Sequence, residues 1–285
     1  MSFDMESAPV AGSKMPANAP PRSESSLGSK TGNRICDRTH AGSGPKVHDS
    51  DALLASTDSR ASSEIPEGHG DAASYAKSGF ANRMGWGQRP VLLLIDVCKA
   101  YWTPGSPLDC SAHAPTTKCP QVMRDMLTAA RATGTPVVWT AVEYTDPDMK
   151  DAGLFWLKAK ALNIWNVAGT RGLSDWVEGL VPEKGEMVIK KKYASAFFGT
   201  SLATDLRVMG ADTVVVCGVS TSGCVRASTL DAMQCGYRPM VVGSACGDRS
   251  DEIQNANLFD LNAKYADVVS EQEAIEHLKA GWPKS

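Results

Sequence analysis

One cysteine stands in a setting that can activate sulfur. Cys224 closes the stretch TVVVCGVSTSGC, which begins at Thr213. Thr213 to Val219 is a short β-branched run of the kind buried on both faces of a sheet. Val225, Thr229 and Met233 follow at four-residue spacing, which suits an amphipathic helix. The small residues GVSTSG between them suit a tight turn. Cys224 therefore falls at or near the first turn of a helix, where unpaired N–H groups and the positive end of the helix dipole favour a thiolate. A buried structural cysteine is the ordinary reading of a single Cys, but this context of strand, turn and helix favours a nucleophile.

Two further groups stand at strand ends. Val91 to Asp96, VLLLID, is an apolar run that ends in an acid. In doubly wound α/β proteins, sites are built at the C-terminal ends of strands, so Asp96 is a candidate base, with an N-cap role equally open. Met187 to Lys190 reads as a strand leading into three consecutive lysines, Lys190 to Lys192. A solvated basic cluster is the plain explanation. The small, apolar SAFFGT that follows lets at least one of them point inward.

The elements that must position these groups follow from pattern. Residues 1–75 are dominated by Ser, Ala, Pro, Gly and Asp and cannot offset the entropy of ordering, which predicts a disordered tail ahead of a domain over 76–285. The arm GFANRMGWGQRP leads into the first strand. After VCKAYWTPGSPLDC, a loop broken by Pro104, Gly105 and Pro107, comes a helix with Pro120 as an early residue. It carries Val122, Met123, Met126, Leu127 and Ala130 on one face and stops at Gly134. Pro136 opens a second strand. Residues 145 to 172, centred on FWLKAKALNIW, have no clean period and read as a cap, a lid or an oligomer contact. A short helix is expected over Asp175 to Leu180, and one capped by Thr200 carries Leu202, Leu206 and Met209. A strand ending near Ser244, a helix from Asp251 to Ala263, a strand over Ala266 to Val269 and a helix over Glu271 to Leu278 complete the chain. Six strands alternating with helices predict a three-layer α/β/α domain around a mostly parallel sheet.

Bulk properties exclude several classes. A net charge of −3 over 285 residues points to neither nucleic acid nor an anionic membrane. No apolar run approaches the roughly 20 residues of a membrane span. The start, MSFDMESAPVAG, lacks the apolar core of a secretory signal, and Asp4 and Glu6 argue against a transit peptide. The eight cysteines lack framework spacing, which predicts reduced thiols in a cytoplasmic protein. Cys110, His113 and Cys119 are the one combination that could be assembled toward zinc.

Three separated segments, LLLID, VIKKKYASAFFGT and CGVSTSGCVRAS, together resemble the isochorismatase-like cysteine hydrolases, and within them the N-carbamoylsarcosine amidase and maleamate amidohydrolase branch. GFANRMGWGQRP, GTRG at 169–172, DRSDEIQNANLFD and KYADVV support that branch. The resemblance covers about residues 75 to 270. It implies a triad of Asp96, Lys191 and Cys224, with Lys191 reached by counting back from Ser195 and its two lysine neighbours one place away. It also implies a cis peptide between Val219 and Ser220, and an oxyanion hole made by the N–H groups of Ser220 and Cys224. Arg249 in GDRSDE would bind a substrate carboxylate, with a surface ion pair as its plain alternative. Thr221, Tyr101 and Phe197 are the other substrate-binding candidates. Where the branch carries a His one turn later, this chain has Gln254.

The resemblance also bears on the reaction. Isochorismatases proper lack the cysteine, so Cys224 points to amide hydrolysis. Nicotinamidases carry an Asp/His metal site after the second strand; the matching stretch here, VEYTDPDMKD, has no His, so neither metal nor other cofactor is expected. The implied activity is cleavage of a C–N bond in a small carboxylate-bearing amide or N-carbamoyl compound through a thioester, releasing ammonia. The alternatives are the same triad acting on a nicotinamide-like, ureidoacrylate-like or lactam substrate, or a non-catalytic binding member of the family. The resemblance further implies a homo-oligomer, dimer or tetramer.

Overall fold

The computed structural model describes residues 70–169 and 172–283. The expected tail lies outside these as far as residue 69, and so do Thr170 and Arg171 of GTRG. The strands are β1 (Pro90–Ile95), β2 (Val137–Val142), β3 (Met187–Lys191), β4 (Thr213–Val219), β5 (Arg238–Gly247) and β6 (Asp267–Val269). They form one sheet in the order β3-β2-β1-β4-β5-β6, with every pairing parallel. The helices are α1 (Ala72–Lys77), α2 (Ala114–Thr133), α3 (Gly153–Lys158), α4 (Leu202–Met209), α5 (Arg226–Gln234), α6 (Asp251–Lys264) and α7 (Glu271–Ala280). α1 crosses the boundary expected at residue 75.

Strand alternation decides which helix covers which face. Leu92 and Leu94 of β1 pack with Met123 and Met126 of α2 and with Ala274 and Leu278 of α7. Val91, Leu93 and Ile95 pack with Leu202 and Leu206 of α4 and with Leu258 and Leu261 of α6. β1 and β4 are buried along their whole length, as continuous apolar runs in a parallel sheet require.

Several elements depart from expectation for identifiable reasons. α2 starts at Ala114, ahead of Pro120, which sits inside it. Proline lacks the N–H that would bond the carbonyl four residues earlier. That carbonyl, of Thr116, instead accepts the Trp102 indole N–H at 2.7 Å and the Cys119 thiol at 3.2 Å. Asp175 to Leu180 is not a helix. Its backbone pairs with the chain after β1, through Lys99 N to Asp175 O at 2.8 Å and Val177 N to Val97 O, and Trp176 packs on Trp139. Ser201 rather than Thr200 precedes α4. β5 runs on to Gly247 through a bulge against β4. Gln254, the residue that departs from the branch pattern, donates to the bulge carbonyls of Gly243 and Cys246.

Residues 145–169 resolve into a cap. Leu162, Ile164 and Trp165 bury themselves with Tyr101, Tyr144 and Val219, while Leu154 and Leu157 remain outside, 81 % and 71 % exposed. No helix among the described residues is long and apolar enough to cross a membrane.

Candidate active site

The strand order reverses between β1 and β4, and the crevice at their C-terminal ends is where a doubly wound sheet places its site. Asp96 follows β1, and the turn carrying Cys224 follows β4. The two strands approach closely because of Gly218. A Cβ there would lie 2.2 Å from the Ile95 carbonyl oxygen, and its φ of +122° is one that side chains rarely adopt. Beyond it comes the cis peptide Val219–Ser220. A single wide turn over Thr221–Val225 then leads into α5, with Gly223 in a non-helical conformation. Cys224 thus sits just ahead of the regular helix.

Asp96 takes a left-handed backbone conformation, φ +51°, which Asp tolerates better than most residues. Thr140 of β2 holds it twice: the Asp96 N–H donates to Thr140 Oγ1 at 3.0 Å, and that hydroxyl donates to Asp96 Oδ1 at 2.6 Å. Lys191, at the end of β3, reaches past β2 to place Nζ 2.8 Å from Asp96 Oδ2. Nζ also donates to the carbonyls of Tyr193 and Ala194, each at 3.1 Å. Both charged side chains are wholly buried. The Cys224 side chain lies beside both and is coupled to their charges. The lysines on either side of Lys191 have acids of their own, Glu143 for Lys190 and Asp151 for Lys192, and lie toward solvent.

The electrostatics of this trio differ from a simple thiolate site. Burial, followed by the Asp96 carboxylate, pushes the Cys224 thiol up to about 12, and the Lys191 ammonium only partly opposes this. Burial works against the ammonium, yet Asp96 and Cys224 outweigh it and hold Lys191 above its ordinary value. The resting arrangement is an ion pair beside a neutral thiol. Burial and the neighbouring carboxylate oppose the thiolate expected from the helix terminus, because a second negative charge next to a buried carboxylate is unfavourable.

Of the four substrate-binding candidates, Tyr101 lies beside the trio and Arg249 follows the acid that holds the nucleophile turn. Burial and then the charges of Cys224 and Asp96 raise the hydroxyl of Tyr101 well above the ordinary value. Its ring lies 6.4 Å from that of Trp165 in the cap. Arg249 is exposed and donates to the Pro107 carbonyl at 3.1 Å. The other two have structural partners of their own. Thr221 is fully buried, and its hydroxyl is spent on the Gly247 carbonyl. Phe197 belongs to the core, against Tyr237. Its neighbour Phe198 is the exposed one, edge-on to Tyr193, and both line an open, mainly apolar groove of about 390 Å³ with Phe155, Ala194, Ser195 and Asp231. The zinc combination does not assemble: Cys110 and Cys119 bond backbone carbonyls, and His113 faces Thr116, Asp248 and Asp251.

Sequence reasoning missed Thr140 and Asp248. Thr140 carried a signal, a lone polar residue within the apolar run VVWTAV. Asp248 carried none, since what it holds is backbone.

Comparisons with known proteins bear on the family and the fold. The isochorismatase domain description matches residues 90–273. The maleamate amidohydrolase of Pseudomonas putida is 43% identical over 201 residues, covering 70% of this chain and 92% of that protein. The N-carbamoylsarcosine amidase of an Arthrobacter species is 35% identical over 210 residues, covering 72% and 77%. Among solved structures, a cysteine hydrolase from Pseudomonas syringae superposes with a TM-score of 0.62 at 22% identity, over 67% of this chain and 93% of that one.

Proposed function

The chain belongs to the isochorismatase family, and from that premise we propose that it is a metal-independent, cysteine-dependent amidohydrolase. Its substrate is a small carboxylate-bearing amide or N-carbamoyl compound, and it releases ammonia. The observation that carries the reading is the buried Asp96–Lys191 pair beside Cys224. The names of the two relatives supply the substrate class.

Because the resting thiol is neutral, its proton has to leave as the sulfur attacks, and Asp96 is the acceptor in reach. The sulfur adds to the amide carbonyl, and the N–H groups of Ser220 and Cys224 hold the oxyanion. Asp96 returns the proton to the departing nitrogen, so that the C–N bond breaks and ammonia leaves a thioester. A water molecule then gives a proton to Asp96 and adds to the thioester. The C–S bond breaks, Asp96 reprotonates the sulfur, and the carboxylic acid product ionises. Lys191 stays charged throughout. It offsets the charge on sulfur during attack and holds the Asp96 carboxylate in place through their ion pair. Tyr101 walls the acyl group, and Arg249 at the rim pairs with the substrate carboxylate.

In this reading residues 76–285 are the hydrolase domain, and the enzyme is a cytoplasmic homo-oligomer. Seven described cysteines are free thiols, which suits a reducing compartment, and Leu154 and Leu157 offer an apolar contact for a second copy.

The test is ammonia release from maleamate, N-carbamoylsarcosine and carboxylate-free amides, with and without a chelator. The expected result is turnover that ignores the chelator, vanishes in Cys224→Ala, and shows a raised KM for carboxylated substrates alone in Arg249→Ala. Undiminished turnover in Cys224→Ala would sink the proposal.

A further inference from the structure

The rim of the site holds another buried acid that the chemistry above leaves unused. Asp248 is 2 % exposed, and its carboxylate accepts from two main-chain donors. Ser222 N donates to Oδ2 at 2.7 Å, and Arg249 N donates to Oδ1 at 2.8 Å. Ser222 lies in the turn that carries Cys224, two residues before the sulfur. One carboxylate therefore ties the nucleophile turn to the residue at the substrate rim, through charge-assisted bonds of the stronger kind.

The Asp248 main chain is clamped in turn. Thr116 Oγ1 donates to the Asp248 carbonyl at 2.6 Å and accepts from the Asp248 N–H at 2.9 Å. His113 Nδ1 lies 3.0 Å from the same carbonyl, and its Nε2 lies 2.9 Å from Asp251 Oδ1. Thr116 fits here because the residue before Asp248 is glycine: a Cβ on Gly247 would stand 2.9 Å from Thr116 Cγ2. His113 and Thr116 belong to the start of α2, on the face of the sheet opposite α5. The clamp thus spans the sheet end and anchors the turn after β4 to a helix that the turn does not otherwise need.

We propose that Asp248 is a positioning residue that sets where the Cys224 sulfur stands relative to Asp96 and keeps it in register with Arg249. This deepens the amidohydrolase reading and rests on it for the effect on turnover. Asn in place of Asp248 keeps the shape but turns one acceptor into an NH2 donor facing a main-chain N–H, so one of the two ties is lost. A nucleophile misplaced by about 1 Å costs on the order of 100-fold in rate.

The experiment compares Asp248→Asn with wild type in three measurements: kcat and KM on maleamate, the rate of Cys224 alkylation by iodoacetamide at pH 8, and Tm. Turnover should fall about 100-fold, with KM raised. Alkylation should become several-fold faster, because a sulfur drawn away from Asp96 escapes the carboxylate that holds it protonated. Unfolding would give the same signs, so positioning is distinguished by their persistence at a temperature where Tm shows the variant to be folded. As a control, Asp212→Asn, which loosens a tie far from the site, should leave both rates unchanged. If Asp248→Asn does not fold, Thr116→Val removes the hydroxyl clamp and should give the same pattern at smaller size. Turnover and alkylation both within twofold of wild type, or changed only in proportion to the unfolded fraction, overturn the proposal. If the wild-type protein hydrolyses no amide, the reading of its function falls, and the alkylation rates still decide the role of Asp248.

Discussion

The two edges of the sheet use the same functional group in opposite ways. At the N-terminal edge, acids fasten the arm that precedes β1. Asp267 accepts the N–H groups of Met84 and Gly85, Asp212 those of Gln88 and Arg89, and Glu273 the Trp86 indole. At the C-terminal edge, Asp96 accepts from the Thr140 hydroxyl and the Lys191 ammonium and faces a thiol. Donors in the arm are amides, an indole and the Arg83 guanidinium, whose protons stay put at any ordinary pH. Donors around Asp96 lie on oxygen, ammonium nitrogen and sulfur, where protons move. A buried carboxylate is a fastening or a reagent according to what faces it. Asp248 has the fastening's partners at the reagent's edge.

The sharpest way to break this contrast is Asp96→Asn. If Asp96 is the proton carrier, ammonia release should fall by at least about 10³-fold, within the range general acid–base groups command. The same change should make Cys224 more reactive toward iodoacetamide near neutral pH. It removes the carboxylate that, after burial, does most to hold the thiol at about 12, and it leaves the Lys191 ammonium to favour the thiolate. Alkylation that slows in step with turnover would mean that Asp96 activates the sulfur at rest, and the neutral-thiol mechanism would be wrong.

Next in size is the pair itself. Lys191→Met keeps much of the stem but strands Asp96 as a buried charge, which typically costs about 3–5 kcal/mol. Lys190→Met and Lys192→Met break pairs at the surface and should each cost within about 1 kcal/mol. Urea unfolding of the three variants makes the comparison. Equal midpoints would show that the three lysines are one solvated cluster after all.

Much of this was legible in the chain, and what was not shares a cause. β1 and β4 are apolar runs long enough to be unambiguous, and each ends at a chemical group. Lys191 also carried a local signal, since period-two alternation from buried Ile189 turns Lys191 inward and its neighbours outward. Orientation within a turn is different. Nothing local says that Thr221 turns to the Gly247 carbonyl, or that Phe197 rather than Phe198 enters the core. Partnerships across the fold were equally silent. Pro120 reads as a helix start unless one knows that the Trp102 indole, 14 residues from Thr116, will take the freed carbonyl. Asp248 reads as a loop acid because its partner Ser222 is 26 residues away. Secondary structure is written largely in neighbours, whereas the supports of a site are written in contacts.

The smallest predicted effect tests the fastening side. Asp212→Asn removes a carboxylate that receives two main-chain N–H bonds at 2.8 and 2.9 Å, worth roughly 1–3 kcal/mol of stability, with kcat unchanged. Its pH dependence follows from the direction of the shift. Burial would raise the Asp212 carboxyl, but the Gln88 and Arg89 N–H groups and the Thr213 hydroxyl prevail and hold it below its ordinary 3.8. A group depressed on folding stabilises while it is ionised in both states and stops doing so once it is protonated in both. The stability gap between wild type and Asp212→Asn should therefore be constant at neutral pH and narrow as pH falls below 3.8. A gap that opened as the solution was acidified would show that the arm is held by something other than this carboxylate, and that the two edges of the sheet are less different than their geometry implies.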